Sequence, residues 1–512
     1  MTANFTSHSL EEPELIFGSG GEEQDPRLGL RQFGPFYAER ERGPTPSQVR
    51  LGIVGTGLTT ELAKKVIGSL GSQIKSSHFN RWAHPDFDGF SLDAPVKCNF
   101  VTSENWNATI LPQEIDRVVG ILGVNERIAA AADLIVGKVS AIANEEGAPD
   151  VIVIALPQAI VDHCGIGDRT REAKRPKFTE LEKLVSEMQE KHQKFLDEWG
   201  LEILHEGNSA GEPEPDYDLR NAIKGKVMTY GIPVQLLKEG SARKFLDGTG
   251  ERDGSLIRAS FAWNLSTGMY YKARGRPWRL AKLAHGSCYV GISFFRDLRS
   301  PKLNLQTSMA QLFTHSGDGF VLRGSEVVVD PGTEEAHLTE EQAAQLLQSV
   351  LDVYEQRVQT RPSRVVLHKT SGYSEGEIAG FRRAIRETPY DLVSISSDAP
   401  FRMLRLGEYP VLRGTAIGIS DGSFLMYTTG YVPRIRTYPG RRVPSPLLVT
   451  HSGVSDRERI ARELLGLTKL NWNTTVFSTR LPITLEFARQ VGKVLSELGS
   501  GVPVQDHYRF YM

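Results

Sequence analysis

Apolar and polar positions along the chain follow two rhythms, one of strands and one of helices. Leu51-Gly-Ile-Val-Gly-Thr-Gly57 is a short apolar run that ends in glycines and passes into helical spacing over Thr60 to Leu70, so strand, tight turn and helix are expected there. Asp150-Val-Ile-Val-Ile-Ala-Leu-Pro157 reads as a second buried strand, β-branched and stopped by proline. Leu181, Leu184, Val185, Met188, Phe195, Leu196 and Trp199 keep one stripe through Glu180 to Gly200, which predicts a long amphipathic helix before a Gly/Pro/acid-rich loop at Glu206 to Asp216. Leu219, Ile223 and Val227 then recur at i, i+4, i+8, and Gly231 and Pro233 end that helix. A further helix is read over Trp263 to Tyr271.

From Ala284 the order changes. Strands are expected at His285 to Asp297, Leu305 to Thr314 and Gly319 to Val329, then a helix at Thr339 to Gln359. A strand at Arg364 to Thr370, a helix at Glu375 to Arg386 and strands at Asp391 to Ser396, Pro410 to Ile419 and Ser445 to Thr450 follow, before helices at Asp456 to Leu467 and Ile483 to Leu498. Strands first and helices then interleaved indicate an α/β unit with a mixed sheet. The chain divides on this reading into an extension over 1–47 packed on the body, an α/β domain over 48–283 and a second over 284–512.

At 512 residues the chain is long enough for two to four domains with cores of their own. Lys and Arg number 60 against 62 Asp and Glu, so overall charge points to no polyanion. Local charge does. Lys272, Arg274, Arg276, Arg279 and Lys282 form one cluster and Arg434, Arg436, Arg441 and Arg442 another; each alone is ordinarily a solvated loop, whereas two beside a candidate phosphate pocket favour a nucleic-acid groove. Cys98, Cys164 and Cys288 form no CxxC pair, which fits a reducing cytoplasm and offers no zinc site. The first residues carry no apolar leader, and no run approaches a membrane span in length.

Two places carry candidate chemistry. In the stretch that opens at Tyr217, the helix holding Leu219 leaves Arg220 and Lys224 one turn apart on a neighbouring stripe. Gln235 starts the next apolar run, and Lys272 stands just before the breaker-rich Arg274-Gly-Arg-Pro277. Two cations, an amide and a lysine suit a small dianion such as a terminal phosphate, although a cation pair on a helix ordinarily marks a solvated face. Gly55-Thr-Gly57-Leu-Thr-Thr60 is the other place, a partial dinucleotide fingerprint and the basis of a rival oxidoreductase reading. Thr60 stands where the third glycine belongs and no strand with a terminal acid follows, so the glycines are read as architecture.

Arg220 and Lys224 four apart, Gln235 within Gly-Ile-Pro-x-Gln, and Lys272 shortly before Pro-Trp resemble the guide 5′-end pocket of the MID domain of Argonaute proteins. An inserted loop near Glu239 to Ser255 accounts for the long spacing from Gln235 to Lys272. The second half resembles PIWI through Val290-Gly-Ile-Ser293, Leu367-His-Lys-Thr-Ser-Gly-Tyr-Ser374, Leu467-Thr-Lys-Leu-Asn-Trp-Asn473, Leu481-Pro-Ile-Thr484 and Tyr508-Arg-Phe-Tyr-Met512. The resemblance runs from Gln48 onward, with no PAZ-sized block between the halves, and is to the short prokaryotic Argonautes. It implies a Rossmann-like MID domain followed by an RNase H-like PIWI domain.

The same resemblance implies a chain that senses and does not cut. RNase H-type cleavage needs carboxylates around two dications. Ser293 stands where active relatives carry the first aspartate, His368-Lys-Thr-Ser371 where the second is expected, and Ile483-Thr484 near the last; Asp297 lies roughly 13 Å along the strand from Ser293. An active endonuclease built on Asp297 is the alternative. By resemblance, Tyr217, Arg220, Lys224, Gln235 and Lys272 bind a guide 5′ phosphate, with Mg²⁺ held there by the terminal carboxylate of Met512. Arg274, Arg276, His368, Lys369, Arg434 and Arg436 line the groove; His368 and Lys369 are otherwise exposed strand ends, and Tyr508 to Met512 otherwise an apolar strand closing the core. The implied partners are a small guide RNA, a complementary single-stranded DNA of plasmids or phages, and an APAZ protein fused to a TIR, Sir2 or nuclease effector, most commonly one that destroys NAD(P)⁺ in the cytoplasm.

Overall fold

The computed structural model describes residues 7–37, 45–165, 217–252, 254–296, 306–313, 319–329, 336–397, 399, 402–439, 444–498 and 504–512. The amphipathic stripe through Glu180 to Gly200, the loop at Glu206 to Asp216, and Asp297, Arg441 and Arg442 fall outside them.

Two sheets organise the chain. The first has four parallel strands in the spatial order Asn99–Thr109, Gln48–Gly55, Val151–Leu156, Val234–Lys238. Val151–Leu156 is buried at every position, as a strand covered on both faces must be, which is why it reads as an unbroken apolar run. Asn99–Thr109 is the edge strand and mixes Asn, Thr, Ser and Glu with few apolar residues, and it is absent from the expectations above. So is the helix Val124–Ala143, although Ile128, Ile135, Val139 and Ile142 recur at helical spacing and are buried.

The second sheet has ten strands. At its centre Ser287–Arg296, Arg364–Lys369 and Tyr390–Ser396 run parallel, with antiparallel strands to either side. Helix Ile483–Leu495 lies across this centre. Gly291 permits the approach, since a Cβ there would sit 2.3 Å from the Thr484 carbonyl oxygen. The C-terminal residues Tyr508–Phe510 form a 3₁₀ turn and no strand, so the expectation of a closing strand is corrected; Tyr508, Phe510, Tyr511 and Met512 are nevertheless buried. Likewise Glu239 to Ser255 is no loop. It holds helices Glu239–Asp247 and Thr249–Arg252, the first seated through buried Ala242 and Phe245.

One apolar cluster runs from Leu15 and Phe17 through Trp263, Tyr270 and Trp278 to Leu464, Trp472 and Tyr508. The early residues join it by pairing Ser7–Ser9 with Thr415 to Ile417 and Leu15–Ile16 with Arg279–Leu280. Glu12 bridges to Arg413 and to Lys469, 2.8 Å from each, and so ties this segment to two buried cations. Among the described residues no helix is long and apolar enough to cross a membrane.

Candidate functional site

Helix Leu219–Val227 begins at Asp218, whose carboxylate accepts from the Asn221 N–H. Its apolar positions Leu219, Ile223 and Val227 face the core, which directs Arg220 and Lys224 toward a cavity of about 500 Å³. Strand Val234–Lys238 brings Gln235 to the same cavity after Gly231 reverses the chain at φ 69°. Helix Arg258–Lys272 ends there with Lys272. From the second half come Asn473, Lys493 and Met512.

Four of the five residues predicted for a phosphate pocket are therefore brought together: Arg220, Lys224, Gln235 and Lys272, with Met512 beside them. Tyr217 is not in the lining; it packs against the apolar cluster that includes Leu219 and Ile223. Lining residues that sequence reasoning missed include Asn264, Lys238 and Lys493. Of the missed positions Asn473 alone carried a signal, as the last residue of the Leu467 to Asn473 motif.

Charge and burial in the pocket are poorly matched without a ligand. Lys224 and Lys272 are only 3% and 2% exposed. Lys272 Nζ donates to Gln235 Oε1 at 2.5 Å and Lys224 Nζ to the Tyr511 carbonyl at 3.2 Å, both neutral oxygens. Among the described residues neither forms an ion pair. Burial, and then the neighbouring Arg220 guanidinium, push the Lys272 ammonium down to about 7; the same two causes, with Lys272 added, hold Lys224 well below the usual lysine range. Clustered, desolvated cations of this kind are relieved by an anion that takes up their charge.

The sign of the pH dependence follows. Lys272 is depressed in the folded chain, so the unfolded chain binds more protons between about pH 7 and the ordinary lysine pKa, and the ligand-free protein gains stability as pH rises through that window. Binding a dianion restores the proton, so affinity moves the other way. For a 5′-phosphorylated oligonucleotide we expect the dissociation constant to rise by up to about tenfold per pH unit between pH 7 and 9, as one proton is taken up per ligand. Fluorescence anisotropy across that range checks it; a 5′-hydroxyl oligonucleotide should show a flat profile.

The remaining expected groove residues do not line the 500 Å³ cavity. Arg274 is exposed at φ 71°, Arg276 lies 5.9 Å over the Phe36 ring, Arg434 pairs with Glu23 at 2.5 Å, and Arg436 lies 5.2 Å over the Trp82 ring. His368 and Lys369 require correction under either reading given above, since each is 1% exposed. His368 Nδ1 is 2.8 Å from Thr484 Oγ1, and burial, then Arg364, lower its pKa to about 3, so it is neutral. Lys369 is bonded to the fully buried Glu377 carboxylate at 2.6 Å and to the Gly372 carbonyl at 3.1 Å. Neither side chain is available to a phosphate.

Gly55 and Gly57 are placed by packing and helix capping. A Cβ at Gly55 would lie 2.5 Å from Thr59 Oγ1, while one at Gly57 would meet nothing within 4 Å. The helix start after Gly55 is closed by its own hydroxyls: Thr56 Oγ1 accepts from the Thr59 N–H and Thr59 Oγ1 from the Thr56 N–H. The geometry gives the dinucleotide reading no support.

Donors for a resident dication are scarce. Among the described residues no three of His, Cys, Asp and Glu cluster to hold a metal. Arg220, Lys224 and Lys272 repel one from the pocket, and the donor set of the chain alone does not fit Mg²⁺.

A parallel four-stranded unit joined to a mixed sheet with three parallel central strands is an Argonaute-like fold, α/β with a Rossmann-like MID unit followed by an RNase H-like PIWI unit. Its solved neighbours include Clostridium butyricum Argonaute bound to a guide DNA and a 19-mer target DNA, with a TM-score of 0.62, 14% identity, and coverage of 97% of this chain and 54% of that one. They also include A. aeolicus Argonaute, with TM-score 0.53, 13% identity and coverage of 98% and 54%, and Drosophila Piwi, with TM-score 0.55, 12% identity and coverage of 98% and 56%. The chain thus spans about half the length of these neighbours. No family model and no curated protein matches the sequence.

Proposed function

We propose that this chain binds the 5′-phosphorylated end of a small guide RNA in the Lys224/Lys272 pocket and uses the guide to recognise complementary single-stranded DNA without cutting it. The observation that carries the reading is the convergence of Arg220, Lys224 and Lys272 on one cavity, two of them buried against neutral oxygens only, in an Argonaute-like fold. A phosphate dianion supplies the missing countercharge, and Gln235 adds an amide. Mg²⁺ belongs to the proposal only as a companion of that phosphate, whose oxygens would complete a donor set that the Met512 carboxylate alone cannot.

Ser293 and not an aspartate lines the cleft between the central strands and helix Ile483–Leu495. Thr370, Ser371, Ser396 and Ser397 line it too, and no described lining residue is a carboxylate. Hydroxyls in these places support sensing over cleavage. The sensing would be read out by an associated APAZ protein whose TIR or Sir2 portion consumes NAD(P)⁺, a defence against plasmids and phages. The test loads the purified chain with a phosphorylated guide and incubates it with matched DNA and Mg²⁺ or Mn²⁺. We expect the target to be retained intact; cutting between two defined nucleotides would establish the endonuclease reading instead.

A further inference from the structure

Between Ile74 and Phe87 the chain forms a loop that is held from both halves of the molecule. An antiparallel bridge closes its base, with backbone bonds of 2.7 and 2.9 Å, and Phe87 is buried edge-on against the Trp263 ring. At the tip Asn80 Oδ1 accepts from the N–H groups of Trp82 and Ala83 at 3.2 and 3.1 Å, while Asn80 Nδ2 donates to the Ile435 carbonyl at 2.9 Å. Ala83 packs into an apolar cluster with Val432, Ile435 and Phe477. What this support presents to solvent is aromatic and basic. Phe79 is 93% and Trp82 52% exposed, and the exposed Arg436 lies 5.2 Å over the Trp82 ring. Lys75 and Arg81, in the same loop, are exposed as well. The carboxylates next along the chain are committed elsewhere: Asp86 accepts from the Ser76 N–H at 2.8 Å, and Asp88 pairs with Arg31 at 2.7 Å.

We propose that Phe79 and Trp82, with Arg436, form a stacking platform for unpaired bases of a single-stranded nucleic acid, outside both cavities described above. Two large rings held in water by a fixed loop gain free energy when a ligand covers them, and a planar base offers each a matching face. The surrounding charge selects the occupant. Lys75, Arg81 and Arg436 stand exposed while the neighbouring carboxylates are tied up, so the surface suits a polyanion, and a guanidinium over an indole extends the stack that a base would join. Every base has a π-face, so the platform is indifferent to sequence. It needs neither a terminal phosphate nor base pairing and therefore goes beyond the function given above. Platform and pocket are linked through one helix: His84 Nδ1 is 2.9 Å from Ser260 Oγ, and Phe261, the next residue, lines the Lys224/Lys272 cavity.

The test compares the full chain with the Phe79→Ala/Trp82→Ala double variant, which leaves the lining of both cavities intact. Both side chains are exposed, so the fold should be retained, and a circular dichroism melt checks this. Should the double variant melt early, Phe79→Ala alone repeats the comparison at a side chain that lies almost wholly in solvent. The probes are a short 5′-hydroxyl oligothymidylate and an abasic phosphodiester strand of the same length, which keeps the charge and lacks the bases. We expect the variant to bind oligothymidylate about tenfold or more weakly than the unmodified chain, and the two proteins to bind the abasic strand alike. Equal affinity of both proteins for oligothymidylate would overturn the platform and leave the rings to a protein partner. An equal loss on the abasic strand would overturn it too, by showing that charge and not stacking had been removed. Neither probe carries a terminal phosphate, so failure of the pocket reads separately, as absence of any 5′-phosphate preference in the unmodified chain.

Discussion

Replacing Lys224 and Lys272 together with alanine is expected to weaken binding of a 5′-phosphorylated guide by about a hundredfold, while a 5′-hydroxyl guide loses little. A charge-assisted hydrogen bond contributes on the order of 1.5 to 3 kcal/mol, and each 1.4 kcal/mol is tenfold in affinity. Each single variant should therefore cost about tenfold or more, and because both lysines face one ligand the double variant need not equal the product. Stability should move in the opposite direction from affinity. Both ammonium groups are held below their ordinary pKa by burial beside Arg220, so Lys272→Met at pH 6 removes a disfavoured charge and should leave the melting temperature unchanged or higher. Equal losses for both guide types, or a fall in stability that accounts for the lost binding, would count against a phosphate role.

The second large effect concerns the frame. Arg364 opens the central strand that leads to His368. Its Nε donates to Asp391 at 2.7 Å, and its Nη1 and Nη2 reach Glu463 at 2.6 and 3.1 Å. Asp391 is also bonded by the Ser455 N–H at 2.9 Å and hydroxyl at 2.8 Å, so it is committed to this network. Arg364→Met fills the space but leaves the buried Asp391 carboxylate without its cation and Glu463 with only the part-exposed Arg459 at 3.2 Å, which costs about 3 to 5 kcal/mol. Urea denaturation should show that loss, whereas Arg462→Ala, which removes an exposed pair with Glu458, should shift stability by at most about 1 kcal/mol. Comparable small shifts in both variants would show that the Arg364 network is not what holds the central strands.

How far the sequence foretells this differs from element to element. Val151–Leu156 was legible because a strand covered on both faces must be apolar throughout, and helix Leu219–Val227 because its core stripe is regular. Asn99–Thr109 was not, since an edge strand with one neighbour carries no such constraint on its residues. In the pocket, periodicity puts Arg220 and Lys224 on one stripe of Leu219–Val227, but it was the resemblance to the MID guide-end pocket that singled them out with Gln235 and Lys272, since helix Arg258–Lys272 is buried on every side near its end and its pattern does not fix where Lys272 points. Tyr217 was misplaced and Lys493 missed for the same reason: only tertiary packing decides that one joins an apolar cluster and the other reaches the cavity. His368 and Lys369 show the limit most clearly. Polar residues at the end of a strand read as exposed, yet Thr484 and Glu377, more than a hundred residues and eight residues away, satisfy them internally.

The claim that the rest depends on is that the Arg220, Lys224 and Lys272 cavity is a receptor for a terminal phosphate. It is tested most directly by the ratio of dissociation constants for one short RNA carrying a 5′ hydroxyl or a 5′ phosphate, measured with the unmodified chain at pH 7. The account predicts at least about tenfold tighter binding of the phosphorylated form. A ratio near one would contradict it.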